Sequence, residues 1–302
     1  MVLKMSKVAA VVVTYNRKDL LKENIEALLK QSVHTFDIII VDNASTDGTF
    51  KSIQSVIGSN CVQYVNTGKN LGGAGGFSFG IKRAVELGYE HIWIMDDDTI
   101  PNETALEKLL NVANENNEYG FIASTVLWTD GTWNQMNLLR NKETNGWHDF
   151  EQYQTINEPI LINRASFVSL LINANAVCTE GLPIKEFFIW SDDQEYTDRI
   201  SKKYNCYYVS DSIVIHKTVS NVGANLANDS YDRINRYRLA FRNEYYIARR
   251  NKTKKEYWGT IKGNILQIIR NSTNHKLKRL STLFCGVMQG IFFKPSIEYP
   301  KR

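Results

Sequence analysis

Long apolar runs are missing from this 302-residue chain. None reaches the roughly 18 residues that a membrane span requires, so a transmembrane protein is not expected. Cysteine is sparse and scattered: Cys61, Cys178, Cys206 and Cys285 include no Cys-x-x-Cys pair. That excludes a disulfide framework and a structural zinc site, and it suits a reducing compartment. No signal-peptide pattern opens the chain, because Val8–Val13 is too short and runs straight into Thr14-Tyr15-Asn16-Arg17. Internal repeats and low-complexity tracts are absent, and no nucleic-acid motif accompanies the basic residues, so nucleic acid is not an expected partner. The turn after the first strand also lacks the Gly-rich, Arg/Lys-bearing loop that nucleotidyl transfer would want.

What is present begins with alternating strands and helices. Val8–Val13 is a continuous β-branched and small apolar run, the pattern of a parallel strand covered on both faces. Leu20, Leu21, Ile25, Leu28 and Leu29 recur at helical spacing, predicting an amphipathic helix over Lys18–Gln31. Strands follow at Phe36–Val41 and Cys61–Val65, with a helix to about Ile57 between them. This βαβαβ order implies a parallel sheet with right-handed crossovers. Asn66–Gly80 is Gly-rich and reads as a loop that lets backbone approach a phosphate or sugar, with a helix beginning at Phe77 and ending at Leu87. It follows the third strand, not the first, so it is a poor dinucleotide fingerprint.

The chain is organised around His91–Pro101. A buried strand, His91–Met95, breaks into Asp96, Asp97 and Asp98, three acids that repel one another. At the C-terminal end of a strand in an open α/β sheet, such acids suit a hard divalent ion and a diphosphate. If the segment stays extended, Asp96 and Asp98 point one way and Asp97 elsewhere, towards a ribose. Glu103–Asn114 then reads as a helix. Phe121–Trp128 and Ser166–Ile172 read as strands, separated by a segment bearing Trp133 and Trp147. Aromatics such as Trp128, Trp133 and Trp147 stack on sugars in some proteins, but core packing is the commoner role. Further on, Trp190-Ser191-Asp192-Asp193-Gln194-Glu195 places acids in the first turn of a helix. There they suit the helix dipole, or supply a general base for a hydroxyl proton. Two adjacent carboxylates cannot both ionise freely, so a raised pKa is expected; Asp193, Asp192 and Glu195 are all candidates for the base. Short strands at Cys206–Ser210 and Ile213–Ile215 lead to His216, which could join the Asp96/Asp98 pair. Lys217–Ser230 is long enough to be a lid.

Charge divides the chain. Tyr231–Arg302 carries 17 Lys and Arg against 4 Asp and Glu, a net of +13, whereas the remainder is net −9. Helices are predicted over Tyr231–Arg250 and Lys255–Ile269, and a short apolar one over Leu283–Phe293 flanked by Lys276, Lys278, Arg279 and Lys294. Such a region fits solvated surface, or a face meeting anionic lipid, where each nearby base contributes about 1 kcal/mol.

Four segments, in this order, resemble the family 2 inverting glycosyltransferases of the GT-A fold: Val11–Arg17, Val41–Thr49, Asn70–Phe77 and Met95–Asp98. With Trp190–Asp193 and His216, the resemblance covers roughly residues 8 to 250. Asn70-Leu71-Gly72-Gly73-Ala74-Gly75-Gly76-Phe77 beside the triple Asp resembles the galactofuranosyltransferase branch in particular. The resemblance implies an α/β GT-A fold, a Rossmann-like, mostly parallel sheet flanked by helices with a C-terminal helical extension. Residues 1–225 would form the catalytic domain, with a nucleotide half over about 1–100 and an acceptor half over about 101–225. Residues 226–302 would be a basic helical region packed on it. It implies transfer of galactofuranose from UDP-galactofuranose to a hydroxyl of a growing cell-surface glycan such as O-antigen, capsule or cell-wall galactan, with the acceptor free or lipid-linked. A rhamnosyltransferase using a dTDP-sugar is the competing reading, and a non-catalytic sugar-nucleotide binder the third.

Carried over by motif, Asp42 would read the uracil ring, while Thr14, Arg17, Asn70, Gly72, Gly73, Asp96 and Asp97 would line the nucleotide-sugar pocket. Asp96, Asp98 and His216 would hold Mn²⁺ or Mg²⁺. Asp193 would be the general base, with Trp190 and Asp192 meeting the acceptor. Polymerising members carry a tryptophan pair before the base; Ser166–Leu171 has none, so polymerising ability does not carry over. The expected place of work is the cytoplasm, peripheral on the inner face of the cell membrane, with a homo-oligomer left open.

Overall fold

The computed structural model describes residues 8–57, 61–137, 139–144, 146–148 and 158–301. Strand β1 (Val8–Thr14) is buried along its whole length. Its side chains alternate between two cores: Ala9, Val11 and Val13 face one, Val8, Ala10 and Val12 the other. That period of two, with apolar residues on both faces, demands helices above and below. They are supplied by α1 (Lys18–Leu29), α2 (Thr49–Ile57) and α4 (Ala105–Glu115) on one face, and chiefly by α3 (Gly72–Glu86) on the other.

β1 pairs in parallel with β2 (Phe36–Asp42) and β4 (His91–Asp96), and β2 with β3 (Val62–Asn66). The register sets Thr14 beside Asp42 and Val13 beside Asp96. Parallel pairing therefore gathers Thr14, Asp42 and Asp96 at one edge, the C-terminal edge where open α/β sheets bind ligands. Beyond β4 the sheet becomes mixed. β10 (Leu170–Asn173) runs antiparallel between β4 and β6 (Tyr119–Leu127), and β11 (Asn205–His216) runs parallel to β6. β9 (Ile160–Arg164), β7 (Leu139–Asn141) and β8 (Trp147–His148) continue past β11. β5 (Thr99–Pro101) lies off this path and pairs antiparallel with the end of β11.

Five elements differ from the sequence reading, one being the short helix expected over 283–293, which is the second part of a longer helix, Lys276–Phe292. The helix expected to begin at Phe77 begins at Gly72, because its glycines pack against neighbouring chain where a side chain has no room; at Gly76 an added Cβ would come within 2.6 Å of Val13. Tight packing here overrides the poor helix propensity of glycine. The two short strands expected at 206–210 and 213–215 are one strand with an irregularity, since Val209 pairs with Ser124 but Ile213 with Thr125. The extra residues find partners: Ser210 carbonyl accepts from Thr125 Oγ1, and Ser212 Oγ donates to Ala105 carbonyl. The strand expected over 166–172 is shorter, Leu170–Asn173. The helix expected over 231–250 is split into α7 (Tyr231–Ile234) and α8 (Tyr237–Arg250). With α9 (Lys254–Asn271) and α10 (Lys276–Phe292), these helices enclose a separate cluster that includes Leu226, Ile234, Phe241, Ile268 and Leu283. No described helix is long and apolar enough to cross a membrane.

Candidate active site

Asp96, Asp98 and His216 come together at the edge of the sheet, with one ligand atom of each within 4.8 Å of the others. The pairing of β5 with β11 produces this. His216 registers with Thr99, and Lys217 N–H donates to the Asp98 carbonyl at 2.8 Å. His216 Nδ1 lies 2.8 Å from Asn137 Oδ1, an acceptor, which assigns the proton to Nδ1 and leaves a lone pair on Nε2. Nε2 is 3.1 Å from Asp98 Oδ1, a buried oxygen with no aligned hydrogen bond. Two acceptors this close need a proton or a cation between them. Burial and the nearby Asp98 charge push the Asp96 carboxyl well above the usual range. Burial acts the same way on Asp98, but with a proton held between its Oδ1 and His216 Nε2, that hydrogen bond and the charge of Arg17 outweigh it and hold the carboxyl low. Two carboxylates and an imidazole fit a divalent ion such as Mn²⁺ or Mg²⁺, which would relieve the strain in this cluster.

Asp97 is directed away from the cluster, although the segment does not stay extended: Asp97 and Asp98 form the turn between β4 and β5. The Asp97 carboxylate accepts from Thr14 Oγ1 at 2.7 Å and from Arg17 at 3.3 Å. Arg17 also bonds Asp98 Oδ2 at 2.5 Å, so Thr14 and Arg17 brace the acidic turn. Asp42, at the end of β2, is 1 % exposed; its oxygens accept from Ser45 N–H and Tyr64 hydroxyl. Each oxygen keeps a second lone pair. Asn70 accepts from Gly72 N–H at 2.8 Å, and Gly72 has φ +72° with no room for a Cβ against the Phe188 carbonyl. That carbonyl also accepts from Ala74 N–H, so the glycine-rich helix start touches the segment leading to Asp192 and Asp193. Gly73 opens onto the cleft.

Asp192 and Asp193 begin α6 (Asp192–Ser201). The chain reaches them through Phe188, Trp190 and Ser191, all at φ between 63° and 68°, a left-handed conformation that costs such residues about 1–3 kcal/mol each. Side chains from α8 hold it. Asn243, fully buried, shares its amide N–H groups among the carbonyls of Phe187, Ile189 and Trp190 at 3.1, 3.2 and 2.9 Å. Arg242 donates to the carbonyls of Glu186 and Phe187. Burial, then the charge of Asp193, pushes the Asp192 carboxyl up; burial also raises Asp193. Since the Asp193 charge raises Asp192, we take Asp193 to ionise first. Glu195 is tied up by Arg199 at 2.9 Å and Arg250 at 2.7 Å. Its oxygens are engaged by these arginines, and Glu195 does not line the cleft that Asp192 and Asp193 line.

Gly73, Asp96, Trp190, Asp192, Asp193 and His216 line one cleft of about 620 Å³, whereas Thr14, Arg17, Asp42, Asn70, Gly72, Asp97 and Asp98 are not on its lining. The 217–230 segment reaches it through Gly223, Ala224 and Leu226. That segment is tied down by Asn221, which bonds Gln135 N–H and the Trp133 carbonyl, and by the Trp128 indole donating to Thr218. Trp128 and Trp133 are thus structural; the side chain of Trp147 lies outside the described residues. Trp190 packs on Tyr237 with ring centroids 4.8 Å apart. Sequence reasoning missed Asn137, Asn243 and the whole wall supplied by α8 and α9. The one available signal was Asn243, a polar residue amid the apolar face of a helix.

This sheet edge, with acids at strand ends and a second acidic turn across a cleft, is the arrangement of a nucleotide-sugar transferase fold. Residues 9–175, more than half of the chain, match the family model described as glycosyl transferase family 2, and the chain belongs to that family. It is 39% identical over 108 residues to galactofuranosyltransferase GlfT1 of Mycolicibacterium smegmatis, covering 35% of each chain. It is 27% identical over 197 residues to galactofuranosyltransferase GlfT1 of Mycobacterium tuberculosis, covering 64% of each. The matched stretches therefore span between about a third and two thirds of those relatives. The fold resembles the crystal structure of Staphylococcus aureus TarS 1–349 in complex with UDP, with TM-score 0.56 and 14% identity over 95% of this chain and 72% of that one. The α/β architecture is thus GT-A, with a helical C-terminal region.

Proposed function

We propose that the protein transfers a sugar from a nucleoside diphosphate, with inversion, to a hydroxyl of a cell-surface glycan, and that the donor is UDP-galactofuranose. The observation carrying the reading is the opening of the Asp96–His216 cluster and the Asp192–Asp193 pair into one cleft. The donor rests on the two relatives named galactofuranosyltransferase. In this reading Asp42 meets the uracil, and Asn70, Gly72, Gly73, Thr14, Arg17 and Asp97 shape the nucleotide-sugar pocket. Asp96, Asp98 and His216 hold Mn²⁺ or Mg²⁺, which when bound neutralises charge on the departing diphosphate. Asp193 takes the proton of the acceptor hydroxyl as that oxygen attacks the anomeric carbon opposite the diphosphate. The new carbon–oxygen bond forms as the bond to the diphosphate breaks, and the proton ends on Asp193. Asp192, protonated beside an ionised Asp193, can donate a hydrogen bond to the acceptor, which rests on Trp190.

Residues 1–225 act as the catalytic domain, and 226–302 as a helical region that completes the cleft. A peripheral membrane role for that region is supported by its net +13 charge and by exposed Leu277, Phe284, Met288 and Phe292 on α10. Basic and apolar groups together suit the inner, anionic face of a membrane. The deciding experiment incubates the protein with Mn²⁺ and a panel of sugar nucleotides and measures nucleotide release and product anomer. UDP release from UDP-galactofuranose, forming the inverted linkage, is expected. Turnover of dTDP-rhamnose alone would move the assignment to the rhamnosyl reading, and turnover of none would overturn the proposal.

A further inference from the structure

Glu244 lies on α8 in helical register with Tyr237, Ala240 and Phe241, and all four line the cleft. Several acids shielded by the fold have cations: Glu195 has Arg199 and Arg250, Glu180 has Lys203, Asp198 has Arg164. Among the described residues Glu244 has no such partner, and burial alone pushes its carboxyl up to about 7. Glu244 is half-buried in the cleft wall, so a ligand that fills the cleft takes its carboxylate from water and must itself supply hydrogen-bond donors.

The surroundings define that ligand. Across from Glu244, α9 contributes Thr260 and Asn264 to the same cleft, and Trp190 and Tyr237 supply aromatic surface. The cleft-lining residues of α8 and α9 include no Lys or Arg, so this wall, unlike the Asp96–His216 end with a metal bound, disfavours an anionic ligand. Neutral polar groups, one carboxylate and aromatic rings together match a polyhydroxylated ring: hydroxyls donate to the carboxylate while C–H faces lie on the aromatics. We infer that the α8–α9 wall is a carbohydrate subsite, in which Glu244 accepts hydrogen bonds from the hydroxyls of an acceptor sugar. The inference rests on the transferase reading for the word acceptor, and on the wall itself for the sugar.

Saturation-transfer NMR with methyl β-D-galactofuranoside and methyl α-L-rhamnoside tests it without requiring turnover, using the full chain. The wild type should saturate at least one glycoside, Glu244→Gln should lose that signal, and Glu244→Asp should keep part of it. Where a glycoside also serves as acceptor, Glu244→Gln should raise its KM about tenfold to a hundredfold, as expected for losing a charge-assisted hydrogen bond. UDP affinity by calorimetry with Mn²⁺ should stay unchanged, marking a loss confined to this subsite. Equal saturation in wild type and Glu244→Gln, or none in the wild type, overturns the inference. Glu244-dependent saturation in a protein that binds no UDP keeps the sugar subsite and sinks the transferase reading.

Discussion

The two acidic turns of this protein are built in opposite ways. Asp96–Asp98 sits on regular structure: parallel strands fix Asp96, and β5 pairing with β11 brings His216 to Asp98. Arg17 already pairs with Asp97 and Asp98, while burial and its acidic neighbours keep Asp96 raised. Asp192–Asp193 instead follows three residues of positive φ, held from outside by Asn243. It has no ion pair of its own among the described residues, and both carboxyls are raised. A cluster with one cation in place and three ligands converging suits holding charge; a pair with no cation suits moving a proton.

The sharpest way to break this contrast is at the first turn. Asp98→Ala should remove transfer almost wholly, by about 10³-fold or more, since charge stabilisation of several kcal/mol is at stake. It should also weaken UDP binding when Mn²⁺ is present; calorimetry giving wild-type affinity would count against Asp98 as a ligand. Asp193→Asn should lower kcat by about 10²–10⁴-fold while UDP affinity holds, the mark of an interaction made chiefly in the transition state. In the wild type, kcat should rise with pH through a range above that of ordinary carboxylates and level off once Asp193 is ionised, because the base must be deprotonated. A profile flat from weakly acidic pH upward would remove Asp193 from the role.

A smaller effect separates support from chemistry. Asn243→Leu removes the donors to three carbonyls, and displacing Asp193 by about 1 Å should cost about 10²-fold in kcat. Metal affinity should persist, because Asp96, Asp98 and His216 are set by β4, β5 and β11 and not by α8. Equal losses in both would mean that the two turns are one unit. The smallest effect concerns stability. Glu244 has a folded pKa of about 7, above its unfolded value near 4.3. A raised carboxyl binds its proton more tightly when folded, so its contribution is present at low pH and lost as pH rises through about 7. Glu244→Gln should therefore raise Tm by a few degrees at pH 8 and change it little at pH 5, read by thermal melts.

The contrast also explains what the sequence made legible. Val8–Val13, Phe36–Val41 and His91–Met95 announce themselves because period-two burial on both faces leaves a local pattern. The acids at their ends follow by position alone. Asn243 meets Trp190 across 53 residues, and His216 meets Asn137 across 79, with nothing local marking either bond. The sequence predicts a loop at Gly72–Gly76 because propensity is local, while the close packing of Gly76 against Val13 is not.

The hold of Asn243 on residues 187–190 sets a rule for recombining this protein with its relatives. A crossover placed between the sheet and the C-terminal helices, at the natural-looking joint near residue 225, would give a chimera whose strands and metal cluster are intact. Its Asp192–Asp193 turn, however, would lose Asn243 and meet whatever side chain the foreign helix carries in that place. Segments 186–193 and 237–251 must travel together, so the unit of exchange in this chain is discontinuous in sequence.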